Sequence, residues 1–100
     1  MGKYIKMVAE CVRNAIANGS STRGPYKALY ENGRLQLFHY GTLIYAASEQ
    51  GEQEIGGWSR SDVDAIETAA SVMGRAMQVT TSAKTAKRIG ATQHGSLYMK

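Results

Sequence analysis

Apolar residues recur at three- and four-residue spacing over residues 3–18, where Ile5, Val8, Val12, Ala15 and Ile16 form a stripe flanked by Ala9 and Cys11. That spacing predicts an amphipathic helix, since such positions share one side of a 3.6-residue turn. Asn18-Gly19 ends it, because glycine accepts the left-handed conformation that closes many helices. Residues 20–24 are polar and read as a loop, and Pro25 blocks a continuing helix. The period then falls to two. Residues 26–30 and 34–40 flank Asn32-Gly33, a strong hairpin signal, and Gly41-Thr42 separates a further strand at 43–47. Along 34–40, Leu35, Leu37 and His39 share one face while Gln36, Phe38 and Tyr40 share the other. Large side chains on both faces predict a central strand or a sheet used on both sides. Residues 53–57 read as a short edge strand with Ile55 as its apolar side chain.

A second helix is expected at about 61–73, with Val63, Ile66, Ala70 and Met73 on its buried stripe and Gly74 closing it. Either Ser61 with Asp64 or Ser59 with Asp62 satisfies the capping pattern of a hydroxyl followed three residues later by an acid. Asp62, Asp64 and Glu67 then lie near the positive end of the helix dipole. Beyond it come a strand near 77–80, a short helix at about 83–89 between Ser82 and Gly90, and a strand at 96–99. No repeat or linker divides the chain. The expectation is a single α+β domain over residues 1–100, with an antiparallel sheet of about four to five strands and two main helices packed on it.

Composition sharpens this picture. Of the 100 residues 43% are apolar, yet thirteen are Ala, and Leu, Ile, Val and Phe together number only seventeen. Below about 20% for those four, a chain with high net charge would be disordered. Here the net charge is only +4, and six Tyr, five Met and one Trp add bulk. A folded domain with a thin core results, of a size at which self-association often helps, so a homodimer is expected. No apolar run approaches the 18 or more residues of a membrane span. Lys3, Lys6, Glu10 and Arg13 interrupt any signal-peptide core, so a cytoplasmic setting is expected.

Charge is blocked along the chain. Residues 1–48 carry a net +4, residues 49–67 a net −5, and residues 75–100 hold Arg75, Lys84, Lys87, Arg88 and Lys100 with no acid. Opposite blocks either pair within the fold or leave the surface polar in patches. A basic patch gains by counterion release when it meets phosphate.

Few residues suggest catalysis. A single Cys permits neither an internal disulfide nor a Cys-based zinc site, and His39 and His94 show no metal-ligand spacing. No nucleophile elbow, phosphate-binding loop or zincin pair occurs. Cys11 and His39 read as packed residues, and no cofactor or metal is expected. Two helix starts are better candidates. Gly56-Gly57-Trp58-Ser59-Arg60-Ser61 sets glycines, hydroxyls and one Arg before the second helix, where free amides could receive an anion. The competing reading is a tight turn anchored by Trp58. Thr80-Thr81-Ser82 is followed by Lys84, Lys87 and Arg88 at i, i+3 and i+4, a three-cation face suited to a phosphate backbone or simply to solvent. Tyr26, Tyr30, Tyr40 and Tyr45 either stack bases or pack in the sheet.

The run Leu37-Phe38-His39-Tyr40-Gly41-Thr42-Leu43-Ile44, followed by Gly57-Trp58-Ser59-Arg60-Ser61-Asp62 and a helix, resembles small accessory proteins encoded by bacteriophages and other mobile elements. The resemblance spans about residues 33–73 and carries over no catalytic residue. It implies a compact, non-enzymatic protein of a class in which some members act against bacterial defence systems, anti-CRISPR proteins among them. The expected function is accordingly macromolecule binding, directed at a host protein or nucleoprotein complex. The alternative is a small nucleic-acid-binding protein using the C-terminal Lys/Arg segment. The binding candidates are Tyr40, Trp58, Arg60, Lys84, Lys87 and Arg88.

Overall fold

The computed structural model describes residues 2–57 and 59–100. Helix α1 (Gly2–Asn18) leads into strands β1 (Ser20–Arg23), β2 (Tyr26–Glu31), β3 (Arg34–His39), β4 (Thr42–Ser48) and β5 (Gln53–Ile55). These pair antiparallel in chain order as one five-stranded meander. Helix α2 (Arg60–Val72) follows. The chain ends in β6 (Val79–Thr80), α3 (Ala83–Ile89), β7 (Thr92–His94) and β8 (Leu97–Met99), whose strands form a second sheet in the order β6-β8-β7. The α+β architecture, the helix at each end of the main sheet and its five strands agree with the sequence reading.

One core holds the layers together. Val8, Cys11, Val12 and Ala15 of α1 are fully buried, as are Leu35, Leu37, Tyr45 and Ala47 on the sheet and Ile66, Ala69 and Ala70 of α2. The two helices touch each other, α1 over β1 to β3 and α2 over β4. Cys11, not Ile16, completes the α1 stripe: Ile16 is exposed while Cys11 lies at the helical spacing that faces the sheet. The C-terminal unit attaches through α2, with Val79 and Leu97 in the same core and the Val79 amide donating to Glu67 Oε2 at 3.0 Å.

Several boundaries differ from the sequence reading. Residues 20–23, read as loop, form edge strand β1. Its polar side chains carry no apolar alternation, and backbone pairing with β2 creates it. Strand β3 stops at His39, so Tyr40 does not share a face with Gln36 and Phe38. Tyr40 and Gly41 instead form the turn, with φ of 50° and 81°. Asn32 and Gly33, at 52° and 76°, make the same turn in the preceding hairpin. Both are two-residue connections with consecutive left-handed residues, the geometry that matches strand twist. Between Leu37 and Phe38 the β3–β4 register shifts, leaving Ile44 as the extra residue. That bulge lets neighbours Ile44 and Tyr45 both enter the core, at 1% and 0% exposure. Strand β7 and a second, separate sheet were not legible from the pattern.

Cys11 is surrounded by apolar groups, its thiol within reach of the Ser21 and Tyr26 carbonyls at 3.5 and 3.8 Å. Burial pushes this thiol, and likewise the Tyr45 phenol, above its ordinary range. The unfolded chain therefore loses these protons at lower pH than the native one. Their contribution is fully present below the ordinary thiol and phenol pKa values and is lost as pH rises through the raised ones. Denaturant titrations are expected to give lower stability at about pH 10.5 than at about pH 8, with Cys11→Ala flattening part of that slope. Cys11 should react with a thiol reagent at about pH 8 only as fast as the protein opens.

Candidate functional site

The end of the sheet where β3 turns into β4 lies beside the start of α2, and three aromatic rings meet there. The Asn32-Gly33 hairpin sets Tyr26 opposite His39. Their rings stack with centroids 4.6 Å apart and planes 13° from parallel. His39 in turn meets the ring of Tyr40 at 4.9 Å, tilted by 35°. Exposure climbs along this column, from 1% at Tyr26 to 81% at Tyr40. A ring column thus runs from the core to the surface.

Asp62 fixes the middle of it. His39 Nδ1 donates to Asp62 Oδ1 at 2.8 Å, and the Asp62 side chain is only 4% exposed. Its other oxygen accepts from the Ser59 amide at 3.3 Å and the Ser59 hydroxyl at 3.2 Å. Ser61 Oγ, 2.8 Å from Ser59 Oγ, completes the chain of hydroxyls. Of the two capping alternatives, Ser59 with Asp62 is the one realised. The carboxylate orients the imidazole, since a bond to Nδ1–H leaves Nε2 as the second ring nitrogen. Burial, and next the charge of Asp62, push the Tyr26 phenol above its usual range, so it stays protonated beneath the column. A pocket of about 170 Å³, lined by His39, Tyr40, Thr42, Ile44, Ser59 and Asp62, opens beside these rings.

The two glycines before α2 serve packing. A Cβ on Gly56 would lie 2.7 Å from the Leu43 carbonyl oxygen, and one on Gly57 would lie 2.7 Å from Asp62 Oδ2. Asp62 already supplies negative charge to the Ser59 amide, so an anion at this helix start meets a carboxylate in place. Trp58, expected to anchor the turn and named as a binding candidate, lies outside the described residues.

The remaining binding candidates fall on exposed positions. Arg60 opens α2, and Lys84, Lys87 and Arg88 project from one face of α3, whose opposite face packs through Ala86. Arg60 and Arg88, 28 positions apart in the chain, line one groove of about 400 Å³ with the hydroxyls of Thr80, Thr81 and Thr85. Asp64 and Glu67 line it too, so the groove is mixed in sign, although neither acid forms an ion pair with Arg60 or Arg88. Surplus positive charge therefore lies on the outward face of α3. Among the described residues, Lys84, Lys87 and Arg88 form no ion pair with a carboxylate. The acidic and basic blocks do not neutralise each other there. Of the acidic block, Glu49 accepts from the Tyr30 hydroxyl at 2.7 Å and Glu67 from the Val79 amide. Arg75 donates to the Ser48 carbonyl and ties the C-terminal segment to the sheet.

Among the described residues there is no group of three or more His, Cys, Asp or Glu placed to hold a metal ion, and no helix is long and apolar enough to cross a membrane. The His39–Asp62 bond and the ring column were missed in the sequence, although the Asn32-Gly33 turn already sets Tyr26 opposite His39. Comparison with protein families, with curated proteins and with solved structures gives no match for this chain.

Removing either partner of the His39–Asp62 bond strands the other where little water reaches it. Hydrogen bonds to charged groups contribute about 1.5–3 kcal/mol. His39→Ala and Asp62→Ala are each expected to lower unfolding stability by about 2–3 kcal/mol. The double variant should cost clearly less than the two losses added, because both remove one interaction. Additive losses in denaturant titrations would show that the pair contributes no coupling.

Proposed function

We propose that this chain is a small, non-enzymatic macromolecule-binding protein whose C-terminal unit engages the phosphate backbone of nucleic acid. The observation that carries this reading is the outward face of α3. Lys84, Lys87 and Arg88 are exposed together there, in a segment from residue 75 to 100 that holds no acid. Cations without carboxylate partners release counterions when they meet phosphates, and that release supplies most sequence-independent affinity. Arg60 and three threonine hydroxyls continue from Arg88 along their groove toward α2, where Asp64 and Glu67 offset part of the charge. Hydroxyl and guanidinium donors are the groups that most often contact phosphate oxygens.

A second reading, contact with a protein complex of a bacterial defence system, draws on the resemblance over residues 33–73. One structural observation favours it. The sheet face turned away from the helices carries Leu29, Phe38 and Leu43, which lie outside the core. An open groove of about 890 Å³, lined in part by Leu29, Arg34, Gln36 and Ser48, crosses that face. A partly apolar, polar-rimmed surface suits a protein partner.

The two readings separate by salt and by mutation. Binding to a labelled oligonucleotide is expected to weaken as salt rises, and replacing Lys84, Lys87 and Arg88 together by Gln should lower the logarithmic salt slope by about 2–3. An unchanged slope in the triple variant would move the interface off α3. Capture of a discrete protein that survives nuclease and fails with Phe38→Ala would favour the second reading.

A further inference from the structure

We infer that Tyr40 is a stacking platform for an unpaired nucleobase, so that the nucleic acid taken up is single-stranded. This rests on the phosphate-binding reading above and names the form of nucleic acid it applies to.

Three independent features of Tyr40 point the same way. First, among the described residues it is the most exposed of the large hydrophobics, at 81%, at the tip of a turn that nothing described covers. Second, it holds a φ of 50°, in the left-handed region. Asn32 occupies the matching position of the preceding hairpin, where its short polar side chain tolerates that geometry. A tyrosine there carries backbone strain and gains no burial in return, and uncompensated strain of this kind concentrates at functional positions. Third, its ring ends the column built on Tyr26 and His39, with Asp62 and Ser59 fixing the imidazole beneath it. A rigidly founded ring loses little freedom when a further flat group is added to the stack. Every base presents a π-face, so stacking on tyrosine tolerates any sequence, but it requires a base out of its duplex.

The surroundings complete a single-strand site. Thr42 and Ser59 hydroxyls line the pocket beside the platform. Arg60 follows Ser59 directly and, beside Asp64 and Glu67, lines the groove that reaches Arg88 and the cations of α3. Asp62, the carboxylate that lines this pocket, is buried and engaged by His39 and Ser59. A ring for the base and cations for the backbone are the two parts that sequence-tolerant single-strand binders combine.

The decisive variant is Tyr40→Asn, which installs at this turn the residue type of its sister turn and so keeps the hairpin. Fluorescence anisotropy would compare a labelled thymidine 20-mer with a duplex of the same length, at about 50 mM salt, where phosphate contacts are strong. Wild-type protein is expected to prefer the single strand. Tyr40→Asn should weaken single-strand binding at least about fivefold, leave duplex binding within about twofold, and unfold at higher denaturant than wild type. Tyr40→Phe should bind like wild type. If both probes bind and Tyr40→Asn changes neither, or weakens both equally, the platform is overturned while phosphate binding by α3 stands. If neither probe binds, the platform and the phosphate-binding reading both fall.

Discussion

The bond between His39 and Asp62 holds the last residue of β3 to the first turn of α2. Two secondary-structure layers meet there through two side chains, and neither could be oriented without the other. The two oxygens of Asp62 hold the imidazole, the Ser59 amide and the Ser59 hydroxyl among their partners. A carboxylate at 4% exposure is stable only when its lone pairs are so satisfied. Gly57 exists at its position because any side chain would collide with that carboxylate. The cap of α2 and the orientation of the imidazole in the aromatic column both depend on this one acidic residue.

Much of this was legible in the sequence, and the boundary is instructive. Asn32-Gly33 marks a turn whose geometry sets every residue of β2 against one of β3, so the Tyr26–His39 pair follows from the sequence alone. Ser59 and Asp62 form one of two capping patterns that the spacing allowed. What no local pattern contains is the link between them, since His39 and Asp62 are brought together by the packing of α2 on the sheet. The exposed position of Tyr40 was hidden for a different reason. Its alternation with Phe38 continued the strand, and only the left-handed backbone that Gly41 shares shows that the strand has ended. Edge strand β1 has no apolar period, because its partner needs only its backbone. Arg60 and Arg88 stood as separate candidates until the fold put them along one groove, and Trp58 stays outside what the structure describes.

The C-terminal unit illustrates how few core residues are needed to add a surface. Val79 and Leu97 enter the common core, Ala86 seats α3, and Glu67 receives one backbone amide. Against that small set of attachments stand four cations on α3 and the opening of α2. Charge concentrated on a small appended layer leaves the main layers free of mutual repulsion, and it confines electrostatic attraction to one side of the molecule.

The meander has a consequence for how the chain acquires its structure. Strands β1 to β5 each pair with their sequence neighbours, so the whole main sheet assembles through short loops. Closing such loops costs little entropy, and each hairpin can form without waiting for the others. The exception is the contact between α1 and α2, which sit at opposite ends of the meander and must find each other across it. That non-local closure costs more ordering entropy than any of the hairpins. The five strands therefore act as a ruler whose finished length sets two distant helices within reach of one another.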